Sequence, residues 1–321
     1  MLITRLPKSL GPLLDRQHNV VSRGQLLAAG VDDGTTYRKV RTGHWQRLLP
    51  GIFLVAPGSP GTEQRRVAAA LFAGEQAQLT GLSVLHWYGF RSAPATDRVH
   101  VLVPHDVHRR STGFVVVQRA LSLDERARHG GLYWVTSPAR AVVDACRALT
   151  QLRDVRAIVA EAVQAHHTSP QAIDAELRRA ARSRTGLARR ALNEVLAGVR
   201  SAPEAELREL TLQSKILPPI LWNPTLTTLD GHRLPTPDGW IDDVGLALQV
   251  DSAEYHARGT GWTDTLDRHN ELAKHDVQVL HITPTEIRTV PRKVLATIEQ
   301  AYRARLASGV RARVVATPIS A

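Results

Sequence analysis

One short turn constrains this chain more than any other feature. Asp242-Asp243-Val244-Gly245 separates two strand-like runs, 237–241 and 246–251, and reads as a hairpin turn. Side chains alternate along a strand, so the turn fixes which residues meet. With 242–245 as the turn, Ile241 faces Leu246 and, counting back, Asp238 faces Gln249. Directly opposed residues have Cβ atoms roughly 4.5–5.5 Å apart. Gln249 and Asp251 stand two apart and share a side of their strand. The hairpin therefore gathers Asp238, Gln249 and Asp251. Carboxylates that close repel unless a proton or a cation intervenes. Mg²⁺, with Mn²⁺ as a substitute, suits such oxygen ligands, and a metal so held can activate water against a phosphodiester.

Charge divides the chain in two. Residues 1–200 carry 28 Lys and Arg against 15 Asp and Glu, whereas 201–321 carry 13 against 15. The net charge of +11 suits a polyanionic partner, although a coding bias toward Arg over Lys accounts for it equally well. No apolar run is long enough to span a membrane, the N-terminus lacks a signal-peptide pattern, and the single cysteine, Cys146, excludes an internal disulfide. These features lead us to expect a cytoplasmic protein without membrane partners. Oligomeric state stays open, since no coiled-coil seam is evident.

The first 57 residues read as helix, helix, turn, helix and hairpin, the order of a winged helix-turn-helix. Residues 5–17 form the first helix, Ser22 caps the second, and Gly30 stops it. Asp33-Gly34-Thr35-Thr36 can cap a third, which runs through Arg41. Trp45–Val55 then turns at Pro50-Gly51. On the third helix Arg38, Lys39 and Arg41 can reach DNA bases and phosphates, with Thr35 and Thr36 at its positive end and Arg47 beside the wing. Tyr37 and Val40 are expected to face the core.

Residues 58–150 read as mixed α/β, with buried strands at 99–103 and 114–117 and a loop between them carrying His105, His108, Arg109 and Arg110. Residues 151–200 read as a basic helical linker carrying Arg178, Arg179, Arg182, Arg184, Arg189 and Arg190. Such a stretch either lies along a DNA backbone or is simply solvated. Residues 201–307 form the next domain and 308–321 a tail. Pro203 sits in the first turn of a helix that carries Glu204.

Two resemblances follow. Val21-Ser-Arg-Gly-Gln-Leu26, Gly30-Val31 and Gly43-His-Trp-Gln-Arg-Leu-Leu-Pro-Gly-Ile-Phe53 resemble the N-terminal winged helix of the AbiEi antitoxin family of type IV toxin–antitoxin systems. The likeness continues weakly through 80–85, 99–103 and 136–144. It implies a repressor of its own operon, with a promoter operator and a cognate toxin as partners.

The second resemblance covers about 201–304, through Ser201-Ala-Pro-Glu204, Pro237-Asp238, Gln249-Val-Asp-Ser252, Glu254-Tyr-His256, Arg268-His269 and Val279-Leu-His-Ile-Thr283. These resemble the PD-(D/E)XK nuclease superfamily, and its small Vsr-like endonuclease domains in particular. The resemblance implies a restriction-endonuclease-like α/β domain with a mixed central sheet. It makes Asp238 the central metal aspartate and Asp251 the second acid, with Glu204 projecting from the preceding helix. His256 becomes a proton carrier or leaving-group partner, and Arg268 holds a phosphate or a carboxylate.

Gln249 stands where the family commonly has Glu, so one negative charge is missing from the Mg²⁺ shell. The expected protein is thus an α/β multidomain, DNA-binding chain with a metal-dependent endonuclease-like domain, serving phage or plasmid defence. The alternative is a non-catalytic regulator or antitoxin that keeps a degenerate nuclease fold.

Overall fold

The structure, a computed structural model, describes residues 7–180, 182–251 and 261–318. They form a mixed α/β protein of two compact units. The first unit comprises 1–150 and 167–185, and the second 151–166 and 186–321.

The first unit begins with a 3-10 turn and α1 (Gly11–Arg16), then β1 (Val20–Ser22), α2 (Arg23–Ala28) and α3 (Asp33–Arg41). Strands β2 (Gln46–Leu49) and β3 (Ile52–Leu54) follow, and β1, β3 and β2 form an antiparallel sheet. Ser22 caps α2 as expected, in a reciprocal pair with Gln25. Leu10, Leu14, Val21, Leu26, Val31 and Trp45 make the core beneath these helices.

Helix α4 (Thr62–Ala73) packs on both β1 and β5 (Val99–Pro104). A five-stranded mixed sheet holds β5 with β4 (Gln78–Thr80), β6 (Val115–Ala120), β7 (Arg128–His129) and β8 (Trp134–Val135), in the order β6-β5-β4-β8-β7. Its strands β5 and β6 are the two read from the sequence at 99–103 and 114–117, here paired in parallel. Helices α5 (Leu82–Trp87) and α6 (Pro138–Ala148) belong to the same layer. Cys146 is buried on α6, and that burial pushes its thiol up to about 12, where it stays protonated.

The segment 151–200 is not a linker. Helix α7 (Leu152–Gln164) and α9 (Gly186–Leu196) pack together in the second unit, while α8 (Pro170–Arg179) packs on α6 in the first. Much of its basic charge is matched locally. Arg178 pairs with Asp174, Arg179 with Glu176, and Arg190 with Glu194 and Glu209.

Arg156 on α7 is 5% exposed and bonds Glu194 at 2.7 and 2.8 Å and Glu209 at 2.9 Å. Truncating Arg156 to Ala leaves the buried Glu194 short of its principal partner. We expect a loss of about 3–5 kcal/mol in denaturant unfolding, and a loss below 1 kcal/mol would contradict that account.

The second unit continues with α10 (Ala202–Thr211), β9 (Leu221–Trp222), β10 (Thr225–Thr228), β11 (Gly239–Ile241), β12 (Leu246–Val250), α11 (Gly261–Ala273), β13 (Gln278–Ile282), α12 (Pro284–Thr289), α13 (Pro291–Ser308) and β14 (Val314–Thr317). A mixed sheet runs β13-β12-β11-β9, parallel between β12 and β13 and antiparallel elsewhere. A separate antiparallel ribbon joins β10 to β14, so the stretch read as a tail is partly strand.

Alternation sorts the two sheet faces. Leu246 and Leu248 belong, with Ile282, to a core shared with α10, α12 and α13. Ala247 belongs to a second core with Trp240, Leu272 and Val277. The hairpin turn closes at Gly245, whose φ is +62° and whose added Cβ would lie 2.5 Å from Ala312 Cβ, so only glycine fits there.

Candidate active site and nucleic-acid interface

Strand β11 pairs with β12 through Gly239–Leu248, Trp240–Ala247 and Ile241–Leu246, the register read from the sequence. One step further, Gln249 Nε2 donates to Asp238 Oδ2 at 3.0 Å, and the Val250 backbone N–H donates to the same oxygen at 2.6 Å. Parallel pairing then sets His281 of β13 beside Gln249. His281 Nδ1 lies 2.6 Å from Asp251 Oδ2, and its ring centroid is 5.4 Å from that of His269 on α11.

Glu204 stands in the first turn of α10, capped by Ser201, and is buried. It accepts from Ser201 Oγ at 2.7 Å, the Arg200 N–H at 2.9 Å and Asn223 Nδ2 at 2.6 Å.

Asp238, Gln249, Asp251, Glu204 and Arg268 line one cleft of about 480 Å³ within the second unit, together with His269 and His281. Of the candidates named from sequence for this site, His256 lies outside the described residues. Asp238 and Asp251 line the same cleft, and the Asp251 charge is felt at Asp238. Burial, then the neighbouring Glu204 and Asp251 charges, push the Asp238 carboxyl up to about 7, against the Val250 N–H that lowers it. A carboxyl so displaced in a cleft is a candidate functional group.

The donor set fits a divalent cation in its chemistry, because the cleft holds carboxylate oxygens around the poorly solvated Asp238. It is not closed around one. Among the described residues no group of three or more His, Cys, Asp or Glu side chains is placed to hold a metal ion. Gln249 turns its amide N–H, rather than its carbonyl oxygen, toward Asp238. That contact supplies locally some of the positive charge a cation would bring.

The first unit carries the other candidate surface. Arg38, Arg41 and Arg47 are exposed and Lys39 is half-buried. Thr36, Tyr37 and the positive end of α3 differ from what the sequence suggests. Thr36 is buried, and its hydroxyl donates to the Asp32 carbonyl at 3.1 Å, so it cannot meet DNA. Tyr37, expected in the core, is 70% exposed, and Thr36 is buried in its place, while Val40 packs against the core as expected. The N-cap is Asp32, one residue before the expected Asp33-Gly34-Thr35-Thr36 stretch.

Asp32 accepts from the Thr35 backbone N–H at 2.7 Å and from the Thr35 hydroxyl at 3.0 Å. These bonds hold its carboxyl below the usual range. The positive end of α3 is thus already occupied by a carboxylate, and it is not the phosphate receptor expected at Thr35. Asp33 beside it is forked to Arg23 at 2.8 and 2.5 Å. The outward face is Gly34, Tyr37, Arg38 and Arg41, spaced 3, 1 and 3 apart.

No family model and no curated protein matches the chain. A solved structure, the RV2827C protein from Mycobacterium tuberculosis, is similar at 16% identity and a TM-score of 0.39, over 59% of this chain and 78% of that one.

Proposed function

We propose that this chain binds DNA through its first unit and hydrolyses phosphodiesters in the cleft of its second. The winged-helix and restriction-endonuclease-like assignments belong to this proposal. The observation that carries it is the convergence of Asp238, Asp251, Glu204, Arg268, His269 and His281 on one cleft, where burial and the neighbouring carboxylates push the Asp238 carboxyl up to about 7.

Asp238, Asp251 and the Gln249 carbonyl, once its amide turns over, would hold Mg²⁺ or Mn²⁺. When bound, such an ion activates a water and offsets phosphodiester charge. Arg268 offers a guanidinium to a phosphate oxygen. Asp251 fixes the His281 ring by its Nδ1, which leaves Nε2 as the atom that can exchange a proton. Glu204, satisfied by Ser201, Arg200 and Asn223, acts through its charge on Asp238.

Incubating the protein with supercoiled DNA and Mg²⁺ or Mn²⁺ tests the reading. Nicking that disappears in Asp238→Asn supports it. No nicking at any metal concentration, or equal nicking by the variant, removes it.

A second reading is favoured by one contact. Gln249 donating to Asp238 partly satisfies that carboxylate without a metal, as in a non-catalytic repressor or antitoxin that keeps the fold to bind an operator or a toxin. That reading expects tight binding to one promoter sequence and no cleavage.

The outward face of α3 gives both readings a common expectation. Arg38→Ala and Arg41→Ala should each weaken duplex binding evenly across sequences and reduce the salt slope by about 0.9. Tyr37→Ala should instead change the preference between sequences, because an exposed ring reads base edges and methyl groups. Fluorescence anisotropy on two unrelated duplexes separates these effects. Binding unchanged by all three substitutions would exclude α3 from the interface.

A further inference from the structure

The first unit has a concave surface that none of the roles above uses. A cleft of about 940 Å³ opens where α4 meets the start of β5, with Arg65, Arg66 and Arg98 on its walls. Arg66 is only 9% exposed. Its terminal nitrogens are taken, one by Glu63 at 3.1 Å and one by the Ser83 carbonyl at 2.9 Å. Arg65 makes one long bond of 3.3 Å to the Asp97 carbonyl. Among the described residues, Nε of both arginines is buried with no hydrogen-bond partner.

Those buried Nε atoms are out of reach from the cleft, so the donors left for a ligand are the remaining terminal N–H groups of Arg65, whose guanidinium lies over the Phe114 ring at 5.7 Å, and the guanidinium of Arg98. Arg98 is exposed at the rim and adds a third cation. The opposing charges are Glu63, engaged by Arg66 and the Tyr133 hydroxyl, and Asp97 at the rim. Forked guanidinium donors match phosphate oxygens. A cleft this large and open suits an extended phosphate ester better than a single small anion.

We infer that this Arg65–Arg66–Arg98 cleft is a phosphate-ester binding site, separate from α3 and independent of whether the second unit cleaves DNA. The ester comes either from a nucleic-acid backbone or from a free nucleotide, and the two sources are separable by experiment.

The full-length protein is titrated with ATP in the absence of divalent cation, by calorimetry, and with a random-sequence duplex over a salt series, by anisotropy. Arg98→Glu changes an exposed side chain and so leaves the fold intact, while Arg65→Lys keeps the charge and removes the forked terminal donors. Arg288→Glu, exposed in the second unit, makes the same change in net charge as Arg98→Glu. At least one probe should bind about tenfold more weakly to Arg98→Glu and several-fold more weakly to Arg65→Lys than to Arg288→Glu. Loss of ATP binding alone assigns a free nucleotide. Loss of duplex affinity, with a salt slope reduced by about 0.9, assigns the backbone. The inference is overturned if the unsubstituted protein binds neither probe, or if the cleft variants bind both as tightly as Arg288→Glu.

Discussion

Asp238→Asn is expected to silence cleavage and, at the same time, to make the protein more stable above neutral pH. The cleavage arm follows from position. Asp238 is the carboxylate that Gln249, Val250, Glu204 and Asp251 surround, and loss of a group acting at the reacting phosphate costs on the order of 10³-fold in rate.

The stability arm follows from linkage. The folded carboxyl titrates at about 7, against 3.8 for an ordinary Asp. Between those values the folded state holds a proton that the unfolded chain has released, so stability falls as pH rises through that window. Above it the whole penalty is present, at most about 4 kcal/mol for a shift of about three units. Asn cannot ionise and removes that slope. Urea unfolding at pH 5 and pH 8 should therefore show the two proteins converging at the lower pH and the variant ahead at the higher. Parallel profiles would mean that Asp238 is not held in a displaced state, and one support of the proposed chemistry would go with it.

Gln249→Glu is the second large effect, and it has opposite signs with and without metal. The amide now donates to Asp238 over 3.0 Å. Above the pH of about 7 at which Asp238 loses its proton, a carboxylate there replaces attraction by repulsion, and two like charges about 4 Å apart near a protein surface cost up to about 4 kcal/mol. Without divalent cation the variant should melt well below the unsubstituted protein. With Mn²⁺ it should recover, because any ion that binds only the folded state stabilises it in proportion to the logarithm of its concentration. Metal affinity should rise by about tenfold or more, as expected for one additional anionic oxygen ligand. Any nicking activity should increase with it. A variant whose melting temperature ignores Mn²⁺ would show that charge at 249 is not what sets metal affinity, and would favour the non-catalytic reading.

The hairpin shows why part of this site was legible. A four-residue turn and strict alternation leave one register, so Asp238 opposite Gln249 follows from counting. Ser22 as a cap, and the apolar strands in the middle of the chain, were equally local matters. His281 was not legible in this way. It sits in an apolar strand thirty residues beyond Asp251, and it reaches the cleft because β13 happens to lie parallel to β12 with Gln249 as its partner. Its alternation with Leu280 and Ile282 marked the polar face, but not which strand would be the neighbour. Tyr37 and Thr36 failed differently. Adjacent helical residues lie about 100° apart, and packing on neighbouring elements, not the local pattern, chose Thr36 over Tyr37 for the inward face.

Local rules therefore settled what neighbours in sequence decide: the hairpin turn, the Ser22 cap, strand register within the hairpin, and the segregation of basic from acidic halves. Only the tertiary structure decided which distant groups share a cleft. It sent α8 to one unit and α7 and α9 to the other, and it brought Glu204 and Asp251 near enough to displace Asp238. The physical reason is range. Backbone sterics and alternation act over a few residues, whereas burial and unscreened charge depend on what the fold packs together, whatever the separation along the chain.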